Sequence, residues 1–282
     1  MGSRVWRCRE HAVVLGERTL VMGVVNVTPD SFSDGGPFLD ADAAVEHGLR
    51  LAADDADLLD VGGESTRPGS DPVPVEEETA RVIPVIERLV KELDVPVSVD
   101  TMKPEVASAA LGAGASIVND VTAGRDPRMF ELVRDSGAGL VLMHMQGDPR
   151  TMQDHPRYDD VASEVRGFLA ERVEAATAAG VARESLCIDP GIGFGKDVDH
   201  NLALLRNLHA LSELRLPLML GVSRKRFIGT LTGTEDPADR LEGTAAAVAW
   251  CAANGADVVR VHDVREMVRV VRVVDAIVRG RA

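Results

Sequence analysis

This chain is poor in aromatic residues, in lysine and in long apolar runs, and each shortage excludes something. Two Trp and one Tyr in 282 residues speak against a sugar cleft, which wants aromatic platforms. No apolar run approaches the roughly 18 residues of a membrane span. The opening residues, Met1-Gly2-Ser3-Arg4-Val5-Trp6, lack the apolar stretch of a secretory signal. Three distant cysteines, Cys8, Cys187 and Cys251, suggest neither a disulfide framework nor a thiolate metal site. A reducing cytoplasm is therefore expected. A basic excess is also missing: the net charge is −14, which argues against nucleic-acid or membrane-surface partners. Lysine is scarce while cations are not. Only Lys91, Lys103, Lys196 and Lys225 stand against 27 arginines, so a lysine inside an Arg-rich patch invites a chemical reason.

What is present is a repeating pattern. Strand-like runs fall at residues 20–25, 57–61, 95–99, 116–119, 139–144, 185–189, 216–221 and 257–261. Amphipathic stretches of helical period lie between them, at roughly 41–53, 75–91, 104–113, 127–135, 158–179, 199–211, 237–253 and 264–278. Alternating strands and helices imply parallel pairing with right-handed crossovers. Eight such units predict a (β/α)8 TIM barrel. A short hairpin, 5–8 with 12–15, precedes it. An open doubly wound sheet is the alternative, but it usually carries a Gly-rich phosphate turn after its first strand, and none is present. No linker-like stretch divides the chain. One domain is expected over 1–282, with the hairpin in 1–18 and the barrel in 19–282.

In such barrels the site lies at the C-terminal strand ends. The first strand runs into Asn26 and a long polar loop, Val27-Thr28-Pro29-Asp30-Ser31-Phe32-Ser33-Asp34-Gly35-Gly36. Later strands deliver Asp60 with Glu64-Ser65-Thr66-Arg67, then Asp100, then Asn119-Asp120, then Met143-His144. The last three deliver Asp189 with a glycine-rich run ending in Phe194-Gly195-Lys196, Gly221 with Ser223-Arg224-Lys225-Arg226, and Arg260-Val261-His262. Asp100, Asn119, Asp189 and Lys225 suit a flat, nitrogen-rich heterocycle, because carboxylates accept from its N–H groups and an ammonium meets a carbonyl or ring nitrogen. The bland alternative is that each aspartate caps the helix after its strand. Arg67, Lys225, Arg260 and His262 form a cationic cluster with hydroxyls at Ser65, Thr66 and Ser223, and late loops often bind phosphate in barrels. Asn26 and the first-loop aspartates could hold a divalent ion on that phosphate. Arg224 and Arg226 read equally well as surface arginines that bind nothing.

Two long blocks, 21–36 and 58–69, together with 189–196, 223–225 and 260–263, resemble the dihydropteroate synthase family. Two gap-free signatures in the right order are far more specific than a lone short motif. The resemblance implies a barrel that joins 6-hydroxymethyl-7,8-dihydropterin pyrophosphate to p-aminobenzoate and releases pyrophosphate, in folate synthesis. It would put the pterin on Asp100, Asn119, Asp189 and Lys225, with Met143 and Gly221 lining the pocket. Pyrophosphate would meet Asn26 through Mg2+, along with Arg260 and His262. Loops carrying Phe32, Asp34, Thr66 and Arg67 would close over the site. Phe194, Lys225 and the residue after it would shape the aminobenzoate and sulfonamide pocket. That residue is Arg226 where many members carry serine. A homodimer through the last helices is also implied.

The chemistry implied is dissociative. Positive charge shared by the pterin as the C–O bond lengthens would be favoured by Asp100 and Asp189, and the leaving charge by magnesium, Arg260 and His262. A methyltetrahydrofolate-dependent methyl transferase is one rival, but it has no use for a pyrophosphate clamp. A catalytically idle, pterin-binding paralogue is another.

Overall fold

The computed structural model describes residues 4–27, 37–66 and 69–280. Strands β1 (Arg4–Cys8) and β2 (His11–Leu15) form an antiparallel hairpin. Alternation buries Trp6, Cys8 and Leu15 completely. They close the N-terminal end of the barrel by packing on Met22, Leu58, Ile117, Val141, Cys187 and Val258, and the Trp6 indole N–H donates to Ser185 O at 2.9 Å.

Eight parallel strands follow: β3 (Leu20–Asn26), β4 (Leu58–Gly62), β5 (Val97–Asp100), β6 (Ile117–Asp120), β7 (Gly139–Met143), β8 (Leu186–Asp189), β9 (Met219–Leu220) and β10 (Val258–Val261). Their order is β8-β7-β6-β5-β4-β3-β10-β9. A bridge between Ile188 and Leu218 joins the two ends, so the sheet closes into the expected TIM barrel. Outside lie α1 (Pro37–Ala53), α2 (Val75–Glu92), α3 (Pro104–Gly112), α4 (Arg128–Ser136), α5 (Val161–Ala178), α6 (Val198–Arg206), α7 (Arg226–Thr232), α8 (Leu241–Ala253) and α9 (Val264–Val278). Helix α2 shows why they pack. Val82, Val85, Ile86 and Leu89 recur at helical spacing, all are buried, and acidic residues 76–78 sit in the first turn, where the helix dipole favours them.

The period of two along a strand decides which residues face the barrel axis. The inward side carries Leu58, Ile117, Val141, Cys187, Met219 and Val258 at one end. Two residues on, the same side carries Asp60, Asn119, Met143, Asp189, Gly221 and Arg260. Asp100 joins them through its register with Gly62 and Asn119. A one-residue slip in any strand would turn its polar residue into the helix layer.

Three elements differ from expectation. Strand 216–221 shrinks to β9, because Pro217 has no N–H to donate and Leu218 N is taken by the Asp257 carboxylate at 3.0 Å. The helix expected over 199–211 ends at Arg206 and continues as a 3-10 segment, Leu208–Leu214. Helix α7 has no counterpart in the sequence reading. It is seven residues long with an internal glycine, and burial of Phe227 and Ile228 stabilises it where propensity does not.

Candidate active site

At the C-terminal end of the strands, Arg260 spans two carboxylates. Its Nε donates to Asp60 Oδ2 at 2.6 Å and its Nη2 to Asp100 Oδ2 at 2.7 Å. Asp60 Oδ2 also accepts from Asn119 Nδ2 at 2.9 Å. That bond fixes the amide: nitrogen toward Asp60, with Oδ1 left as the atom offered to a ligand. Asp189 accepts from Gly191 N at 2.7 Å through Oδ1. The floor formed by Asp100, Asn119 and Asp189 is thus an array of acceptors, and it calls for a ligand edge rich in N–H donors. Among the described residues Asp100 Oδ1 is buried without a hydrogen-bond partner, a costly arrangement that a ligand N–H would relieve.

Burial sets the charges. It pushes the Asp100 carboxyl up to about 7, with Arg260 opposing and Asp60 adding to the rise. Burial likewise raises Asp189, against the Gly191 N–H, Lys225 and Arg260. Lys225 is pushed down to about 8 by burial, with Asp189 opposing. Burial works against the charge of Arg260 too, but Asp60 and Asp100 outweigh it and keep the guanidinium protonated.

The other wall comes from the glycine-rich run after β8. Gly191 has φ +66°, and a Cβ there would lie 1.9 Å from His144 O, so only glycine fits. Gly193, at φ +85°, lies under the Lys225 side chain, 3.1 Å from Cδ to where a Cβ would be. The run carries Phe194, whose ring faces Lys225 Nζ at 4.2 Å from its centroid. Met143 packs beside it with Val121, Met145 and Met152. Gly221 is partly open, and a Cβ on it would meet nothing within 4 Å.

A profile of pterin-binding enzymes matches residues 22–262 of the chain. Dihydropteroate synthase of Escherichia coli (strain K12) is 47% identical over 256 residues, covering 91% of this chain and 90% of that protein. The chain belongs to the dihydropteroate synthase family. As a member it is a transferase, a dihydropteroate synthase in folate biosynthesis. Solved structures agree with the barrel in detail. Xanthomonas albilineans dihydropteroate synthase with 4-aminobenzoic acid superposes with a TM-score of 0.91 at 53% identity, over 97% of this chain and 98% of that one. The enzyme of the same organism in complex with 7,8-dihydropteroate gives 0.85 at 47% identity, over 96% and 98%.

In this dihydropteroate synthase the structure brings Asp100, Asn119, Met143, Asp189, Gly221, Lys225 and Arg260 to one mouth. Asn26 ends β3 in register with Gly62, and Thr66 follows β4 on the same rim. Asp34, Phe32 and Arg67 lie outside the described residues. The structure bears on two expectations. Burial, then Arg260 and Arg224, push His262 down to about 3, which favours a neutral imidazole over a cation at this rim. Ser223 Oγ accepts from His262 N at 3.2 Å and meets Nδ1 at 3.0 Å; a hydroxyl proton directed at Nδ1 would leave Nε2–H as a donor. Arg224, left open between a ligand contact and a surface arginine, is partnered within the protein. It pairs with both oxygens of Asp263 at 3.1 and 2.5 Å, and its backbone N–H donates to Thr244 at 3.0 Å. Arg226 is exposed.

Asp60 is the site residue that the sequence reading placed at the rim without giving it a role. A lone carboxylate within Leu58-Leu59-Asp60-Val61, on the same inward side as its neighbours, was the available signal. It is fully buried and links Arg260 to Asn119.

Proposed function

We propose that the mouth binds the dihydropterin ring of 6-hydroxymethyl-7,8-dihydropterin pyrophosphate on Asp100, Asn119, Asp189 and Lys225, and joins its methylene to the amine of p-aminobenzoate. The observation that carries this reading is the acceptor-only floor with one ammonium at its edge. A dihydropterin presents a run of amino and ring N–H groups beside a carbonyl, which complements that set. Among the described residues Arg260 spends two of its five N–H groups, on Asp60 and Asp100, so the others, beside His262, could meet the diphosphate.

As the C–O bond lengthens, the electron pair leaves on pyrophosphate and positive charge spreads into the pterin. The buried carboxylates of Asp100 and Asp189 favour that charge. The amine nitrogen then forms the new C–N bond, and its surplus proton passes to the departing pyrophosphate or to water. Phe194 and the Lys225 stem wall the aminobenzoate, with Arg226 one residue further along at the first turn of α7. Magnesium fits as a companion of the diphosphate. No group of three or more metal-ligating His, Cys, Asp or Glu occurs among the described residues, so phosphate oxygens and water would complete the shell of a hard cation held by the Asn26 side-chain oxygen. Bound there, it would offset diphosphate charge.

We further propose a homodimer. Leu202, Leu205, Phe227, Leu231 and Trp250 line an apolar groove of about 410 Å3 on the outer face of α6, α7 and α8. Leu231 is 58% and Trp250 47% exposed, and Val273 and Ile277 of α9 are also exposed. An apolar surface of this kind fits a second copy. Sedimentation of Leu231→Glu should show a shift to monomer. Three free, buried cysteines suit a reducing cytoplasm. No described helix is long and apolar enough to cross a membrane.

A coupled assay with the diphosphate, p-aminobenzoate and magnesium tests the activity, and dihydropteroate and pyrophosphate should form in equal amounts. Gly221→Val tests the pocket. A Cβ at this position meets nothing within 4 Å, so melting should move by no more than about 3 °C, whereas KM for the diphosphate should rise by about tenfold or more. An unchanged KM would remove Gly221 from the pterin pocket.

A further inference from the structure

Three of the four lysines in this arginine-rich chain, Lys103, Lys196 and Lys225, are at the C-terminal rim, and Lys196 has no part in the mechanism above. It ends the glycine-rich run after β8 and turns its side chain back into that run, leaving only 2% of its surface exposed. Nζ donates to Gly191 O at 3.0 Å and to Phe194 O at 2.9 Å, and it meets His144 Nδ1 at 2.9 Å. Burial, then the charge of Lys196 itself, push His144 down to about 3, so its imidazole is neutral and Nδ1 can accept. Burial pushes Lys196 down to about 7, with Asp189 opposing, and three acceptors converge on Nζ, one for each proton of its ammonium form. The run is tied elsewhere too: Gly193 N donates to Asn201 Oδ1 at 2.7 Å, Gln153 Nε2 to Gly193 O at 2.8 Å and Tyr158 OH to Gly195 O at 2.8 Å. Everything so held presents one side chain to the mouth, the Phe194 ring beside Lys225.

We propose that Lys196 is a positioning residue that fixes Phe194 against Lys225 and thereby sets the wall on which the aminobenzoate ring rests. The proposal builds on the aminobenzoate subsite inferred for Phe194. It also explains the choice of lysine. A planar guanidinium fork matches acceptors that lie side by side, not three that converge on one point, so arginine, used nearly everywhere else, would not serve. His144 sits next to Met143, so the same ammonium ties the aminobenzoate wall to the strand end that lines the pterin.

The test is steady-state kinetics with each substrate varied in turn, using Lys196→Met, Lys196→Arg, Tyr158→Phe and Phe194→Ala. Lys196→Met and Lys196→Arg should each raise KM for p-aminobenzoate about tenfold or more, since small misplacements of a binding group are costly. KM for the diphosphate should stay within about twofold and kcat within about threefold. Tyr158→Phe removes one tie on the same run and should show the same split with a smaller rise. It decides the matter if the Lys196 variants do not fold. Equal effects on both substrates in folded variants, or no effect, overturn the positioning role. So does full activity of Lys196→Arg. If Phe194→Ala leaves KM for p-aminobenzoate unchanged, the subsite itself is wrong, and both ideas fall together.

Discussion

Arg260→Met is expected to destabilise the fold by about 3–5 kcal/mol and to reduce kcat/KM by about a thousandfold. The guanidinium is the counter-charge for Asp60 and Asp100 at once. Asp60 is wholly enclosed and the Asp100 side chain is only 12% exposed. Methionine fills similar volume but leaves two neighbouring buried carboxylates facing each other. At least one must then take up a proton, so its folded pKa lies above its unfolded value. Below the unfolded pKa both states hold that proton and the variant loses least. As pH rises toward the folded pKa the penalty grows. Urea unfolding at pH 5.5 and pH 8 should therefore show the larger loss at pH 8. A loss below about 1 kcal/mol with no such pH trend would mean that the pairing carries little energy.

Asp100→Asn should leave the fold within about 1 kcal/mol of the parent, since the amide oxygen can still accept from Arg260. Turnover should fall by about a hundredfold to a thousandfold, because a neutral amide no longer favours positive charge on the pterin. The pH profile separates this role from simple binding. In the parent, burial pushes the Asp100 carboxyl up to about 7, and on the proposed mechanism the working form is the carboxylate. Activity should therefore rise with pH through that region and fall on the acid side. Asparagine has no proton to lose, so the acid limb should flatten. Near-parental turnover, or an unchanged limb, would assign the cation-stabilising charge elsewhere.

Where sequence reading succeeded, it used local regularities. Apolar runs with strand spacing alternate with stretches of helical period, and both are properties of near neighbours in the chain. The same holds for the mouth: if strands end at Asp100, Asn119 and Asp189, parity alone places these groups inside the barrel. Helix α7 escaped notice because its seven residues owe their conformation to burial of Phe227 and Ile228, which no local pattern announces. Strand β9 was overlong in the sequence reading because apolar character around Leu216 says nothing of which N–H groups find ladder partners.

Charge and partnership lay beyond local pattern altogether. His262 reads as a cation beside Arg260, yet burial, then the neighbouring Arg260 and Arg224, push its pKa down. Asp60 reads as one more polar residue in the block 58–69, yet it fixes an arginine 200 positions away and turns the Asn119 amide. The amino-acid sequence by itself determined the alternation of strand and helix and the kinds of group that each strand carries to its C-terminal end. Only the tertiary structure decided which of those groups are bonded to one another, and which hold a proton, because both depend on distances and on exclusion of water that arise once the barrel has closed.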